Sequence, residues 1–245
     1  MTLQVTLATA RRVLTQLRRD RRTLAMLLVV PVVLLTLLRY VYSDVPQVFN
    51  HVGAPLLALF PFITMFLVTS VAMLRERTSG TLERLLTTPL GRGDLLFGYA
   101  IAFGLLAVLQ TVIASAVALG PLGLAVTAGP TFVLLLAVLD ALLGMALGLF
   151  LSAFARNEFQ AVQFLPAVVL PQLLLCGLFA ARDEMATPLQ WLANALPLTY
   201  AVDGMQELTR TSSLSGHLAR DLAVVAGASL LALCLGAATL RRRSA

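Results

Sequence analysis

One carboxylate stands where charge is expensive. Asp140 is the only ionisable residue in the run VLLLAVLDALLGMALGLF. An acid deep in an apolar span binds a proton or a cationic solute, or else serves helix packing as a neutral or hydrogen-bonded group. Proton pathways need several such groups, which favours the packing role, and a place near the outer end of its span would leave Asp140 partly hydrated. Gln110, Gln163 and Gln172 also interrupt apolar runs. They suit a translocation wall or hydrogen bonds between helices. Gly144 and Gly148, just after Asp140, have the spacing of close helix packing.

Other chemistries find little support. His51 and His217 stand alone in loops, so no metal site is expected. Cys176 and Cys234 fall in apolar runs without metal spacing and read as plain buried residues. All 18 basic residues are arginine. A P-loop needs a lysine for the β- and γ-phosphates, so this chain is not expected to hydrolyse ATP by the usual route. It binds no cofactor of its own on this reading, and its power comes from a partner or an ion gradient.

The elements that hold these residues are set by composition. Of 245 residues, 59% are hydrophobic and 12% charged, with a mean hydropathy of +0.89. Soluble domains carry about a quarter charged residues, so the solvent here is lipid. The reading is an all-α integral membrane protein with six spans, near 23–42, 54–74, 95–119, 131–154, 159–180 and 221–240. Pro31 is expected to kink the first span, and Pro166 and Pro171 to break the ladder of the fifth. Arg39 can snorkel outward, towards Asp44. The longest loop is 181–220.

Ahead of the spans, residues 1–22 form an amphipathic segment. Leu3, Leu7, Ala10, Leu14 and Leu17 share one helical face, with Arg11, Arg12, Arg18, Arg19 and Arg22 to its side. Such a helix lies in the interface with its arginines at lipid phosphates, or packs on a partner protein. No small-residue cleavage site marks it as a removed signal.

Orientation follows from the arginines. With both termini inside, the inner segments hold six between 11 and 22, four between 75 and 92, Arg156, and three in the tail 241–245, fourteen in all. The outer side holds Arg39, Arg182, Arg210 and Arg220. Fourteen against four places the termini and the loop 75–94 in the cytoplasm. Arginines flanking apolar runs fit this rule better than nucleic-acid binding.

That loop is a charged island, LRERTSGTLERLLTTPLGRGDLLFGY. Ser79-Gly80 interrupts the helix leaving the second span. A short helix near 81–88 follows, with Glu83 in its first turn and Leu82, Leu85 and Leu86 on one face. Pro89, Gly91 and Gly93 stop it. Two turns alone in water are marginal, so the leucine face enters a groove on another protein or tucks against the membrane.

The island resembles the first cytoplasmic loop of ABC type-2 permeases, the membrane subunits of daunorubicin-type drug and lipid exporters. The matching residues are Glu76, Gly80, Thr81, Glu83, Leu85, Leu86 and Pro89. A second stretch, CGLFAARDEMATPLQWLANALPLTYAVDGMQELTR, resembles the family's signature after the fifth span, through Gly177, Trp191, Pro197, Thr199 and Tyr200. Here Leu196 takes the place of the usual Asn, and Cys176 that of the usual serine. With six spans and the amphipathic helix, the resemblance covers nearly the whole chain.

The resemblance implies an exporter in the bacterial inner membrane with two permease chains, a homodimer or a related heterodimer, and two ATPase subunits that hold ATP and Mg. The helix 81–88 is then the coupling helix, residues 3–19 the connecting helix, and Arg156 to Glu158 a second, smaller contact. Short re-entrant extracellular helices between 181 and 208 cap the pathway. The cargo is a hydrophobic or amphipathic compound, an antibiotic or a lipid. The alternatives are a proton-coupled secondary transporter centred on Asp140, or a membrane assembly factor that does not transport.

Overall fold

In lipid, a backbone must satisfy its own hydrogen bonds, which only helices and closed barrels achieve. The computed structural model of the chain takes the helical solution. It describes residues 3–79, 91–211 and 216–239, with no strand among them. The helices are α1 (Leu3–Arg19), α2 (Arg21–Val41), α3 (Pro46–Thr78), α4 (Arg92–Leu119), α5 (Pro130–Leu151), α6 (Glu158–Leu175), α7 (Thr187–Ala195), α8 (Pro197–Arg210) and α9 (Gly216–Thr239). Six of them, α2, α3, α4, α5, α6 and α9, are long and apolar enough to cross a membrane. The helix expected at 81–88, and with it Gly80, Thr81, Glu83, Leu85, Leu86 and Pro89, lies outside the described residues, as does the tail 241–245.

Several limits differ from those expected, each for a local reason. α3 starts at Pro46 rather than near residue 54. A proline at the first helical position loses only an amide that had no partner anyway, so the polar stretch before Ala54 extends the helix instead of forming a loop. At 33 residues α3 is about 50 Å long, well beyond the ~30 Å of a hydrocarbon core. α6 ends at Leu175 rather than near 180, because Gly177 turns the chain at φ +86°. Within α6 the turn Leu165–Val169 is a π turn around Pro166, which absorbs the missing amide donor without ending the helix. The segment expected as the longest loop folds largely into α7 and α8.

The centre of the bundle is the pair α3 and α5. Gly144 and Gly148 bring the two backbones together: a side chain at either would meet the Phe62 or Phe66 carbonyl of α3. The Thr69 hydroxyl bonds within α3 to the Met65 carbonyl (2.7 Å) and reaches across to that of Met145 (3.2 Å). Phe62, Met65 and Phe66 are buried around this seam. By contrast α2, α6 and α9 leave Val29, Leu37, Phe159, Leu174, Leu230 and Leu231 exposed, as lipid-facing surfaces require. Arg39 does not reach towards Asp44. Its Nε donates to the Leu122 carbonyl (3.1 Å) and its guanidinium lies over the Phe49 ring.

Candidate functional site

The helices place the singled-out residues in three zones: the arginine-rich end, the middle of the bundle, and the opposite end. At the arginine-rich end, residues on both sides of the charged island are tied to other helices. Before it, Glu76 on the last turns of α3 accepts from Arg12 of α1 at 3.3 Å. Arg12 also donates to the Tyr99 hydroxyl of α4 (3.0 Å) and stacks over its ring. Beside it, Arg75 makes a two-pronged pair with Glu158 of α6, at 2.7 and 3.0 Å. After the island, Asp94 caps α4 through the Gly91 amide (3.2 Å) and accepts from Thr6 of α1 (3.0 Å).

α1 is therefore more than a surface float. It runs beside the first turns of α4, with Thr6, Thr9, Ala10 and Val13 buried, and Thr9 lies so close to Gly98 that a Cβ there would collide with it. The expected apolar stripe is rotated: Leu3 and Leu7 stay 74% and 50% exposed. Thr9 fits against α4 because Gly98 has no Cβ to meet it. Arg12, expected at lipid phosphates, turns inward to Glu76 and Tyr99, whereas Arg11, Arg18, Arg19 and Arg22 remain exposed. At the hinge between α1 and α2, Asp20 caps α2 by accepting from the Thr23 amide and hydroxyl, which holds its pKa below the usual carboxylate value.

Of the second expected contact, Arg156 and Glu158 flank Asn157, the residue that caps α6. The Asn157 side chain accepts from the Gln160 amide, and the Gln160 side chain accepts from the Arg156 amide, both at 2.8 Å. This reciprocal cap fixes the short turn between α5 and α6 and aims Glu158 at Arg75.

In the middle, Asp140 is fully buried halfway along α5, and neither carboxylate oxygen has a hydrogen-bond partner among the described residues. This corrects the expectation of a partly hydrated residue near a span end, since α5 is enclosed by its neighbours there. Gln110 is buried and donates to the Thr64 hydroxyl of α3. Gln172 is buried too, and its amide donates within its own helix to the Val168 carbonyl (3.2 Å). Gln163 instead faces outward from α6, so these four do not form one polar wall.

At the opposite end, the residues of the second motif build a tied cap. Pro197 opens α8 after Leu196, which supplies no side-chain cap, as its replacement of Asn foretells. The Thr199 hydroxyl donates to the Ala193 carbonyl (2.8 Å) and the Tyr200 hydroxyl to the Asn194 carbonyl (2.7 Å), stapling α8 to α7. The Cys176 thiol donates to the Leu173 carbonyl (3.0 Å), the bond a serine would make. Trp191 is 73% exposed on α7, as an interfacial aromatic would be.

Sequence reasoning missed the ion pair that organises this cap. Arg182, beside Gly177, pairs with Asp203 of α8 and donates to Asn194 (3.3 Å). Burial raises the Asp203 pKa to about 6, against the opposing pull of Arg182. Arg220 stacks over Tyr200 and pairs with Asp221 at 2.9 Å. Arg182, Asn194, Tyr200, Asp203 and Arg220 line an open polar cleft of about 880 Å³. Nothing local in the sequence links Arg182 to Asp203. The Gly91-to-Asp94 spacing, by contrast, was a readable capping signal.

A bundle of six membrane-length helices, with a helix clamped across the base of a charged loop and short capped helices at the far end, defines a multi-pass membrane protein. The description of ABC-2 type transporters matches residues 4–209, and the chain belongs to that family. Among individual proteins, it is 29% identical over 143 residues to the probable multidrug ABC transporter permease YbhS of Escherichia coli (strain K12), covering 58% of this chain and 38% of that protein. It is 26% identical over 148 residues to YbhR of the same organism, a protein of the same description, covering 60% and 40%. ABC transporter G family member 20 of Dictyostelium discoideum is 27% identical over 169 residues, 69% of this chain and 23% of that protein. The chain thus matches well under half the length of each of these relatives.

Proposed function

We propose that this chain is the permease of an ATP-driven exporter, moving a hydrophobic or amphipathic compound outward across a bacterial inner membrane. Both termini and the charged island face the cytoplasm on this reading. A separate ATPase subunit, holding ATP and Mg, seats against the loop 75–94 through its expected helix at 81–88, and a second permease chain, identical or related, completes the pathway. The relatives described as multidrug permeases support a drug-like cargo. α7 and α8 serve as the re-entrant cap on the outer side.

The observation that carries this reading is the interlocked base. Arg75 and Glu76 before the island are bonded to α6 and α1, and Asp94 after it is bonded to α1. A push on the loop 75–94 is thereby passed to α1, α3, α4 and α6 together, which suits rigid-body rocking of the bundle. Glu83→Ala or Leu85→Arg is expected to abolish both co-purification of the ATPase and efflux from cells. Full retention of both in either variant would show that the island is not where ATPase work enters.

A further inference from the structure

α1 leaves a greasy trough on its outer side. Because Thr6, Thr9 and Val13 face α4, the residues turned away are Leu7, Arg11 and Arg18, with Leu14 half-buried between the arginines. Across from them on α4, Ile101 and Leu105 are exposed, Leu105 by 55%. These six residues line one concave niche of about 320 Å³. Its floor is aliphatic and belongs in part to a membrane-spanning helix. Its lining also includes Arg11 and Arg18, set two helical turns apart on one face of α1, about 10 Å along the axis.

The arginines of α1 divide by partner. Arg12 is used within the protein, by Glu76 and Tyr99. Arg11 and Arg18 make no ion pair and no side-chain hydrogen bond among the described residues. Free arginines above an apolar trough at a leaflet boundary match one kind of occupant, a lipid with acyl chains below and an anionic headgroup above.

We propose that the groove between α1 and α4 is a binding site for a single anionic phospholipid, its phosphate held by Arg11 and Arg18 and an acyl chain lying along Leu7, Leu14, Ile101 and Leu105. The proposal rests on the permease reading only in placing this end of the bundle at a leaflet surface, and its test needs neither ATPase nor cargo. The lipid completes the face that α1 leaves open and helps hold α1 against α4, next to the island's second flank.

The test is native mass spectrometry of the purified chain, released from detergent after equilibration with equal amounts of phosphatidylglycerol and phosphatidylcholine. The wild type retains one phosphatidylglycerol adduct in preference to phosphatidylcholine. Arg11→Gln with Arg18→Gln lowers that adduct about thirtyfold, from the usual contribution of two arginines at an anionic surface. Leu7→Glu, which sets a carboxylate one turn before Arg11, lowers it as well. Arg21→Gln with Arg22→Gln removes the same charge outside the groove and leaves the adduct intact. Unchanged retention in the first pair or in Leu7→Glu, equal retention of the two lipids, or an equal loss in the second pair would each overturn the proposal. Size-exclusion profiles matching the wild type establish that the variants are folded.

Discussion

Replacing Gly144 by alanine tests whether α3 and α5 move as one body. The added Cβ would overlap the Phe62 carbonyl oxygen and lie 2.9 Å from both the carbonyl carbon and the Cα of that residue. All three atoms are backbone, so no side chain can swing aside; the two helices must separate or the glycine must shift. Overpacking of this kind costs about 1–3 kcal/mol. Gly227 on α9 is the internal control, because a Cβ there meets nothing within 4 Å. Gly227→Ala should gain about 0.5–1 kcal/mol from helix propensity alone. At roughly 2–4 °C per kcal/mol, Gly227→Ala should rise by about 1–4 °C and Gly144→Ala fall by about 2–12 °C. The assay is the fraction of monodisperse protein left after heating in detergent. A Gly144→Ala protein as heat-resistant as Gly227→Ala would refute the packing argument. Gly144→Leu should further stop efflux while leaving ATPase co-purification intact, since Gly144 packs on Phe62, about 24 Å along α3 from Thr78.

The Arg75 to Glu158 pair should matter for coupling more than for stability, since both side chains are largely exposed and such pairs contribute under about 1 kcal/mol. Arg75→Glu and Glu158→Arg are each expected to lower efflux, and the double swap to restore most of it; no rescue would mean that the pair transmits nothing. Asp140→Asn keeps shape and removes the ionisable group, and drug efflux should survive it; loss of efflux with normal folding would favour the proton-coupled alternative. At the cap, the raised pKa of Asp203 means that the folded protein binds the proton more tightly than the unfolded chain. Its contribution to stability is then full below pH 3.8 and is lost as pH rises through about 6. Asp203→Asn should flatten the fall in heat resistance between pH 5 and 7; an unchanged pH profile would show that another group sets it.

Much of the architecture was legible because lipid imposes a simple rule. Apolar runs of about 20 residues must be helices, so six spans could be counted from composition and turns alone. Helix ends were less legible where proline was involved. Pro46 looked like a loop residue and is the first residue of α3, while Pro166 looked like a break and is absorbed in a π turn. The close approach announced by Gly144 and Gly148 was readable as a spacing, but not which helix approaches.

By itself, the amino-acid order determined the helical class, the number of spans, the asymmetry of arginine and the two motifs of the family, since each is a property of one segment in its solvent. Only the tertiary structure decided which arginine serves the protein and which stays free. Arg11 and Arg12 are neighbours of identical chemistry, and a rotation of 100° per residue sends one to the open groove and the other to Glu76 and Tyr99, residues far along the chain. The same holds for Arg182 with Asp203, and for Asp140, whose burial depends on the helices that happen to enclose it. Long-range pairing is set by how helices settle against one another, and no local spacing encodes that.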